Sequence, residues 1–265
     1  MPAPAHVLDL FAVPGPGEPV PGGQGTSVRA GDLVLSPGRD PVVSAWLNPV
    51  LARLAVRLDE RPGRRARDIR IAMPVPARNG EWVVDGWGAS RYEPGTSACH
   101  DVEVLLATGR VLHAQFDSVV RSRPDALDAR TDRWAEAERL VFDAPEEIPA
   151  AVAGRPEADL VGRLLDELAP VDLGPDQLVH ADLAGNVLLD PNGAPVVIDV
   201  AAYWRPVRWA EAICALDAVI DFDAPLEATA RFTSRPERQA LVRAGLFRLL
   251  SDLSSDLALY DKALS

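Results

Sequence analysis

His180-Ala181-Asp182-Leu183-Ala184-Gly185-Asn186 decides how this chain is read, together with Val196-Val197-Ile198-Asp199, whose aspartate follows Asn186 by thirteen residues. Between them run Val187-Leu188-Leu189 and the turn Asp190-Pro191-Asn192-Gly193. Two short apolar runs on either side of a turn predict a small hairpin. Asp182, Asn186 and Asp199 border those strands, where polar side chains can converge on one point. Singly, Asp182 or Asn186 reads equally well as a cap for the next element. Jointly, the three supply hard oxygen donors of the kind that suits Mg²⁺, an ion usually shared between one or two carboxylates and substrate phosphates. A second carboxylate beside such an ion can orient an attacking hydroxyl and accept its proton, as phosphoryl transfer requires.

Upstream of this segment the chain changes character once. The first forty residues are rich in turn formers, including Pro14-Gly15-Pro16-Gly17, Pro21-Gly22-Gly23-Gln24-Gly25-Thr26-Ser27 and Ala30-Gly31 ahead of Leu33-Val34-Leu35. Short apolar runs cut by such residues predict hairpin strands rather than helices. Val43, Trp46, Leu47, Val50, Leu51, Leu54 and Leu58 then recur at helical spacing over 43–58. Asp68 to Met73 alternates, Asn79-Gly80 marks a turn, and Trp82, Val84 and Trp87 predict a returning strand. Beyond residue 96 the periodicity is helical over about 99–117, 124–142 and 157–169, and 207–263 reads as two or three further helices.

Composition sets the limits. The 265 residues are 48% apolar and 25% charged, as in an ordinary globular chain long enough for one large core or two modest ones. Cys99 and Cys214 are too few for a disulfide framework, so a reducing, cytoplasmic setting is expected. The first residues show no basic n-region, and no apolar stretch approaches the ~20 residues of a spanning helix, so no membrane partner is expected. A net charge of −12 argues against nucleic acid bound through a broad basic surface. Lys262 is the sole lysine, so nearly every positive charge is an arginine. That rules out a Walker-type phosphate loop, no Gly-x-Ser-x-Gly elbow occurs, and the four histidines lack zinc-ligand spacing with the cysteines.

The segment 180–199 resembles the catalytic and metal-binding loops of the aminoglycoside phosphotransferase and choline kinase family. The order of elements across nearly the whole chain agrees with that resemblance. It implies an α+β, two-lobed protein-kinase-like fold: an N-terminal antiparallel-sheet lobe over 1–93, a hinge at about 90–95, and a helical lobe over 96–265. By the same likeness Asp182 corresponds to the catalytic base, Asn186 and Asp199 to the metal ligands, and His180 to a residue that braces the loop. ATP and Mg²⁺ are the implied cofactors, and a nucleotide and a small-molecule acceptor the implied partners. Gly22, Gly23, Gln24, Gly25, Thr26 and Ser27 form a loop whose backbone amides and hydroxyls can cover phosphates. Arg91 and Tyr92 fall in the connector expected to face the base. Trp204 and Arg205 are candidates for a substrate pocket, and Glu211 for a residue that holds the nearby loop.

Three departures from the family pattern follow. Asn186 lies four residues after Asp182, where the family usually has five. Ser36 stands where the family carries a phosphate-binding lysine, and residues 41–58 contain no acid to pair with such a lysine. Compensation of phosphate charge then falls to arginine, with Arg29 the first candidate and Arg39 the second. The expected activity is Mg-dependent phosphotransfer from ATP to a hydroxyl of a small molecule. Two alternatives stay open: a pseudokinase-like nucleotide-binding or interaction protein, and an enzyme of the same fold that transfers AMP.

Overall fold

Proline and glycine recur every few residues before position 40, and the elements between them are correspondingly short. The structure, a computed structural model, describes residues 2–20, 26–251 and 256–265. The chain divides into two units, one of Met1–Cys99, Pro124–Ala129 and Gly185–Val200, the other of His100–Arg123, Arg130–Ala184 and Ala201–Ser265. The architecture is α+β, with an antiparallel sheet in the N-terminal region and helices dominating the C-terminal region.

The first unit opens with helix α1 (Ala5–Leu10), where only strands are expected from the sequence. No side chain caps it; Val7, Leu8 and the following Phe11 are buried in the unit's core, so tertiary burial rather than local propensity makes this helix. Strands β1 (Glu18–Pro19), β2 (Val28–Ala30) and β3 (Leu33–Ser36) follow. Helix α2 (Pro41–Asp59) starts where the Asp40 carboxylate accepts the Val43 amide at 2.9 Å, with proline in the first turn. It buries Leu47, Leu51, Leu54 and Leu58, the stripe anticipated from their spacing.

Strands β4 (Arg70–Ile71), β5 (Pro74–Val75), β6 (Val83–Val84), β7 (Trp87–Arg91) and β8 (Ser97–Ala98) complete the N-terminal stretch. One sheet runs β1-β2-β3-β7-β5, with β6 also paired to β7, and its register sets Ser36 opposite Gly88. The turn at Asn79-Gly80 forms, with Gly80 at φ +86 and the Ala77 amide donating to the Glu81 carbonyl at 2.8 Å. The alternation over 68–73 does not simply pair across that turn. Arg70–Ile71 leaves this sheet and joins another.

In the second unit come α3 (Val102–Val119), α4 (Arg133–Asp143), α5 (Ile148–Ala151), α6 (Ala158–Glu167) and strand β9 (Asp176–His180). The helix expected over 124–142 begins late. Asp132 accepts the amides of Trp134 and Ala135 and so fixes the start of α4, while Asp125–Leu127 forms a separate single turn in the first unit.

The chain then re-enters the first unit as the expected hairpin, β10 (Val187–Leu189) and β11 (Pro195–Val197). This hairpin sits in a sheet ordered β4-β11-β10-β8, with β4 parallel to β11. Back in the second unit, β12 (Ala202–Pro206) pairs antiparallel with β9. Helices α7 (Val207–Asp221), α8 (Glu227–Ala230), α9 (Arg235–Ser251) and α10 (Leu257–Ala263) finish the chain, four among the described residues where two or three are expected.

Trp209 centres the second unit's core. It is fully buried, and Phe142, Tyr203 and Phe247 meet it edge-on at centroid distances of 5.2, 5.5 and 5.2 Å. Such packing leaves no way for neighbours to close a hole of this size, so Trp209→Ala is expected to cost about 3–5 kcal/mol of stability, read from the midpoint of urea unfolding.

Candidate functional site

Hairpin β10–β11 places two of the candidate residues together in the first unit. Val187 pairs with Val197, and the Ile198 amide donates to the Asn186 carbonyl at 2.9 Å, so Asn186 and Asp199 emerge from the same open end of the hairpin. Asn186 is buried. Asp199 has φ +47, a left-handed backbone that costs an L-residue about 1–2 kcal/mol and that aspartate tolerates better than most. Strain of this kind clusters where a side chain must be aimed.

The Asp199 carboxylate is gripped by Arg39. Nη1 donates to Oδ1 and Nη2 donates to Oδ2, the latter at 2.9 Å, in a two-pronged ion pair. Burial works against the Arg39 charge, and the attraction and hydrogen bonds of Asp199 more than offset it, leaving the guanidinium pKa raised. The chemistry of Asn186 and Asp199, an amide oxygen and a carboxylate, fits a small hard cation, although both carboxylate oxygens are engaged with Arg39. No group of three or more His, Cys, Asp or Glu side chains suited to a metal occurs among the described residues.

Asp182 belongs to the second unit, on the loop that leaves β9. Its backbone is pinned by two histidines in series. The Asp182 amide donates to His180 Nδ1 at 3.2 Å, and the His180 amide donates to His113 Nε2 at 3.1 Å. Accepting at Nε2 puts the proton of a neutral His113 ring on Nδ1, which has no partner among the described residues. Burial, then the neighbouring His180, lowers the His113 pKa to about 3.

The Asp182 side chain is held from another side. Arg248 of α9 donates to Asp182 Oδ1 at 2.7 Å and, through two nitrogens, to both oxygens of Asp217 on α7, with Nε to Oδ1 at 2.7 Å. Asp217 is 4% exposed, and burial pushes its carboxyl up to about 6 against the pull of Arg248. Burial likewise opposes the Arg248 charge, yet Asp217 and Asp182 raise its pKa well above the ordinary value. At neutral pH this is a carboxylate–guanidinium–carboxylate triad, with Asp182 its more exposed member.

The remaining sequence candidates scatter. Gly22, Gly23, Gln24 and Gly25 lie outside the described residues. Ser27 and Ser36 share a hydrogen bond at 2.9 Å between their hydroxyls. Arg29 donates to the Gly31 carbonyl and stacks over the Tyr92 ring at 4.1 Å. Arg91 pairs with Asp32, whose carbonyl accepts the Tyr92 amide. Arg205 is buried and committed to Glu138 and Asp143, with Phe142 beneath its guanidinium, which makes it an internal tie rather than a free pocket wall. Trp204, beside it on β12, is half-buried. Glu211 pairs with Arg110 and thus joins α7 to α3.

Sequence reasoning missed Arg248, Asp217 and His113. The available signal was a charge inside an apolar run: Asp217 interrupts Ile213-Cys214-Ala215-Leu216 and Ala218-Val219-Ile220, and Arg248 stands between Leu246-Phe247 and Leu249-Leu250. Two outcomes follow. Arg248→Met, which strands the buried Asp217 carboxylate, is expected to cost about 3–5 kcal/mol, and adding Asp217→Leu to recover most of that loss in denaturant titrations. Because the folded-state pKa of His113 lies below its unfolded value, the unfolded chain binds an extra proton between about pH 6.5 and 3, and stability falls as pH drops through that window. His113→Gln is expected to flatten this dependence by one proton in unfolding midpoints measured across it.

Comparison with protein-family models and with curated proteins finds no match. Among solved structures, the chain is similar to a spectinomycin phosphotransferase crystallised with ADP and spectinomycin, at 15% identity over 97% of this chain and 92% of that one, with a TM-score of 0.53. It is also similar to a proposed fructosamine-3-kinase from Thermobifida fusca, at 20% identity over 98% of this chain and 96% of that one, with a TM-score of 0.50. At these identities the likeness speaks to architecture, and the architecture is the protein-kinase-like fold.

Proposed function

We propose that this chain is a nucleotide-dependent phosphotransferase that moves a phosphoryl group onto a hydroxyl of a small molecule. The observation that carries the reading is the open end of hairpin β10–β11, which carries both Asn186 and Asp199, with Asp199 held in a strained left-handed backbone. Fold alone does not license an activity, because function belongs to the site. The likeness to a phosphotransferase that binds ADP and spectinomycin supports the reading at the level of architecture.

In this proposal Asn186 and Asp199 would hold Mg²⁺, which would supply positive charge to the phosphates. Asp182 orients the acceptor hydroxyl and takes its proton. Arg248 fixes that carboxylate, and the His113–His180 relay fixes the backbone beneath it. Thr26, Ser27, Arg29 and Ser36 serve the nucleotide with Gly22, Gly23, Gln24 and Gly25, while Arg91 and Tyr92 border the base. Trp204 is the candidate for contact with the acceptor.

A second reading, a protein that binds nucleotide without transferring anything, is favoured by one specific observation: Asp182 and Asp199 are both already paired with arginine. The two readings separate on product. Incubation with ATP, Mg²⁺ and a panel of amino-sugar, choline-like and amino-acid-like alcohols is expected to yield an acceptor heavier by one phosphoryl group in mass spectrometry. A gain of AMP instead identifies nucleotidyl transfer. Asp182→Asn is expected to slow turnover about 100-fold or more while nucleotide affinity is retained. Nucleotide binding with no product from any acceptor supports the second reading.

A further inference from the structure

We propose that the Arg39–Asp199 pair is an exchange site, in which Arg39 passes from the carboxylate to a nucleotide phosphate as a divalent cation takes its place on Asp199. The inference rests on the nucleotide reading of this unit and names the residue that meets the phosphate charge. Four observations carry it.

The pairing is complementary on both sides. A guanidinium that forks onto two carboxylate oxygens presents the same geometry to two phosphate oxygens, and a carboxylate so gripped offers a divalent cation a like-charged neighbour until the fork opens. The pair is also reachable, since the side chains keep 31% and 44% of their surface exposed. Exchange therefore needs no unfolding.

Arg39 is anchored at its base. Its amide donates to the Gly86 carbonyl at 2.9 Å, and its Cγ lies where a side chain at Gly88 would stand, 3.2 Å from a Cβ built there. Gly88 faces Ser36 across β3 and β7, so the arginine arises beside the strand end that carries no cation of its own. Other arginines of this unit are engaged elsewhere: Arg29 with Gly31 and Tyr92, Arg78 with Asp9, Arg91 with Asp32, and Arg70 with Glu93. Arg39 already contacts a candidate metal ligand.

Neutrality of the pair makes binding reciprocal. An anion alone draws Arg39 away and leaves Asp199 without its counter-charge; a cation alone does the converse. Together they leave every charge matched, so each ligand strengthens the other, and by linkage it does so equally.

The test titrates the full chain with ATP by calorimetry and with Mn²⁺ by electron paramagnetic resonance, each alone and in the presence of the other. In the wild type, each ligand is expected to tighten the other about tenfold or more. Arg39→Ala is expected to bind Mn²⁺ alone about tenfold more tightly, because Asp199 is released, and to bind Mn²⁺–ATP about tenfold more weakly. Arg39→Lys, checked for an unchanged circular dichroism spectrum, is expected to restore part of the nucleotide affinity. If the wild type binds nucleotide and Arg39→Ala leaves both affinities unchanged, the exchange is overturned while the nucleotide reading stands. A wild type that binds no ATP overturns the nucleotide reading itself, and the exchange with it.

Discussion

A guanidinium buried in a helical core imposes conditions on everything near it. Arg248 is nearly enclosed, and an unpaired charge in that position is untenable, so the second unit must supply carboxylates in fixed places. Asp217 on α7 answers most of the demand, and the close packing of α7 on α9 keeps the two in reach. The remaining donor capacity points at Asp182, so the loop after β9 inherits its position from the core behind it. Replacing such a triad by apolar residues is often neutral or better for stability. What the triad does in this fold is fix Asp182.

The same logic runs through a chain with a single lysine. Several of its ion pairs are two-pronged arginine forks, as in Arg130 to Asp132, Arg248 to Asp217 and Arg39 to Asp199. Forked pairs fix direction as well as distance. The net charge of −12 leaves ample carboxylates for those forks to find.

What could be read from the sequence was local. Hairpin β10–β11 was legible because a Pro-Asn-Gly turn separates two apolar runs, and α2 because its apolar residues repeat at helical spacing. Helix α1 was not, since its formation depends on burial of Val7, Leu8 and Phe11 against strands that come later. The start of α4 at Asp132 was hidden by apolar periodicity that runs on through a break. Of the candidate residues, Asp182, Asn186 and Asp199 announced themselves by pattern. Their partners Arg248, Asp217 and His113 did not, and Arg39, though a candidate for phosphate charge, was not legible as the mate of Asp199, because a long-range ion pair leaves no periodic trace, and a lone charge in an apolar run reveals burial without naming its mate.

The pairing of β4 and β8 with the hairpin has a consequence for how the chain comes into being. Residues 70–71 and 97–98 find their strand partners only at 196–197 and 188–189. Synthesis from the N-terminus therefore exposes two strand edges while nearly a hundred further residues, including α3 to α6, are made. Until the ribosome has passed residue 197 the first unit lacks its second sheet, and those edges are the segments of a nascent chain that most need shielding.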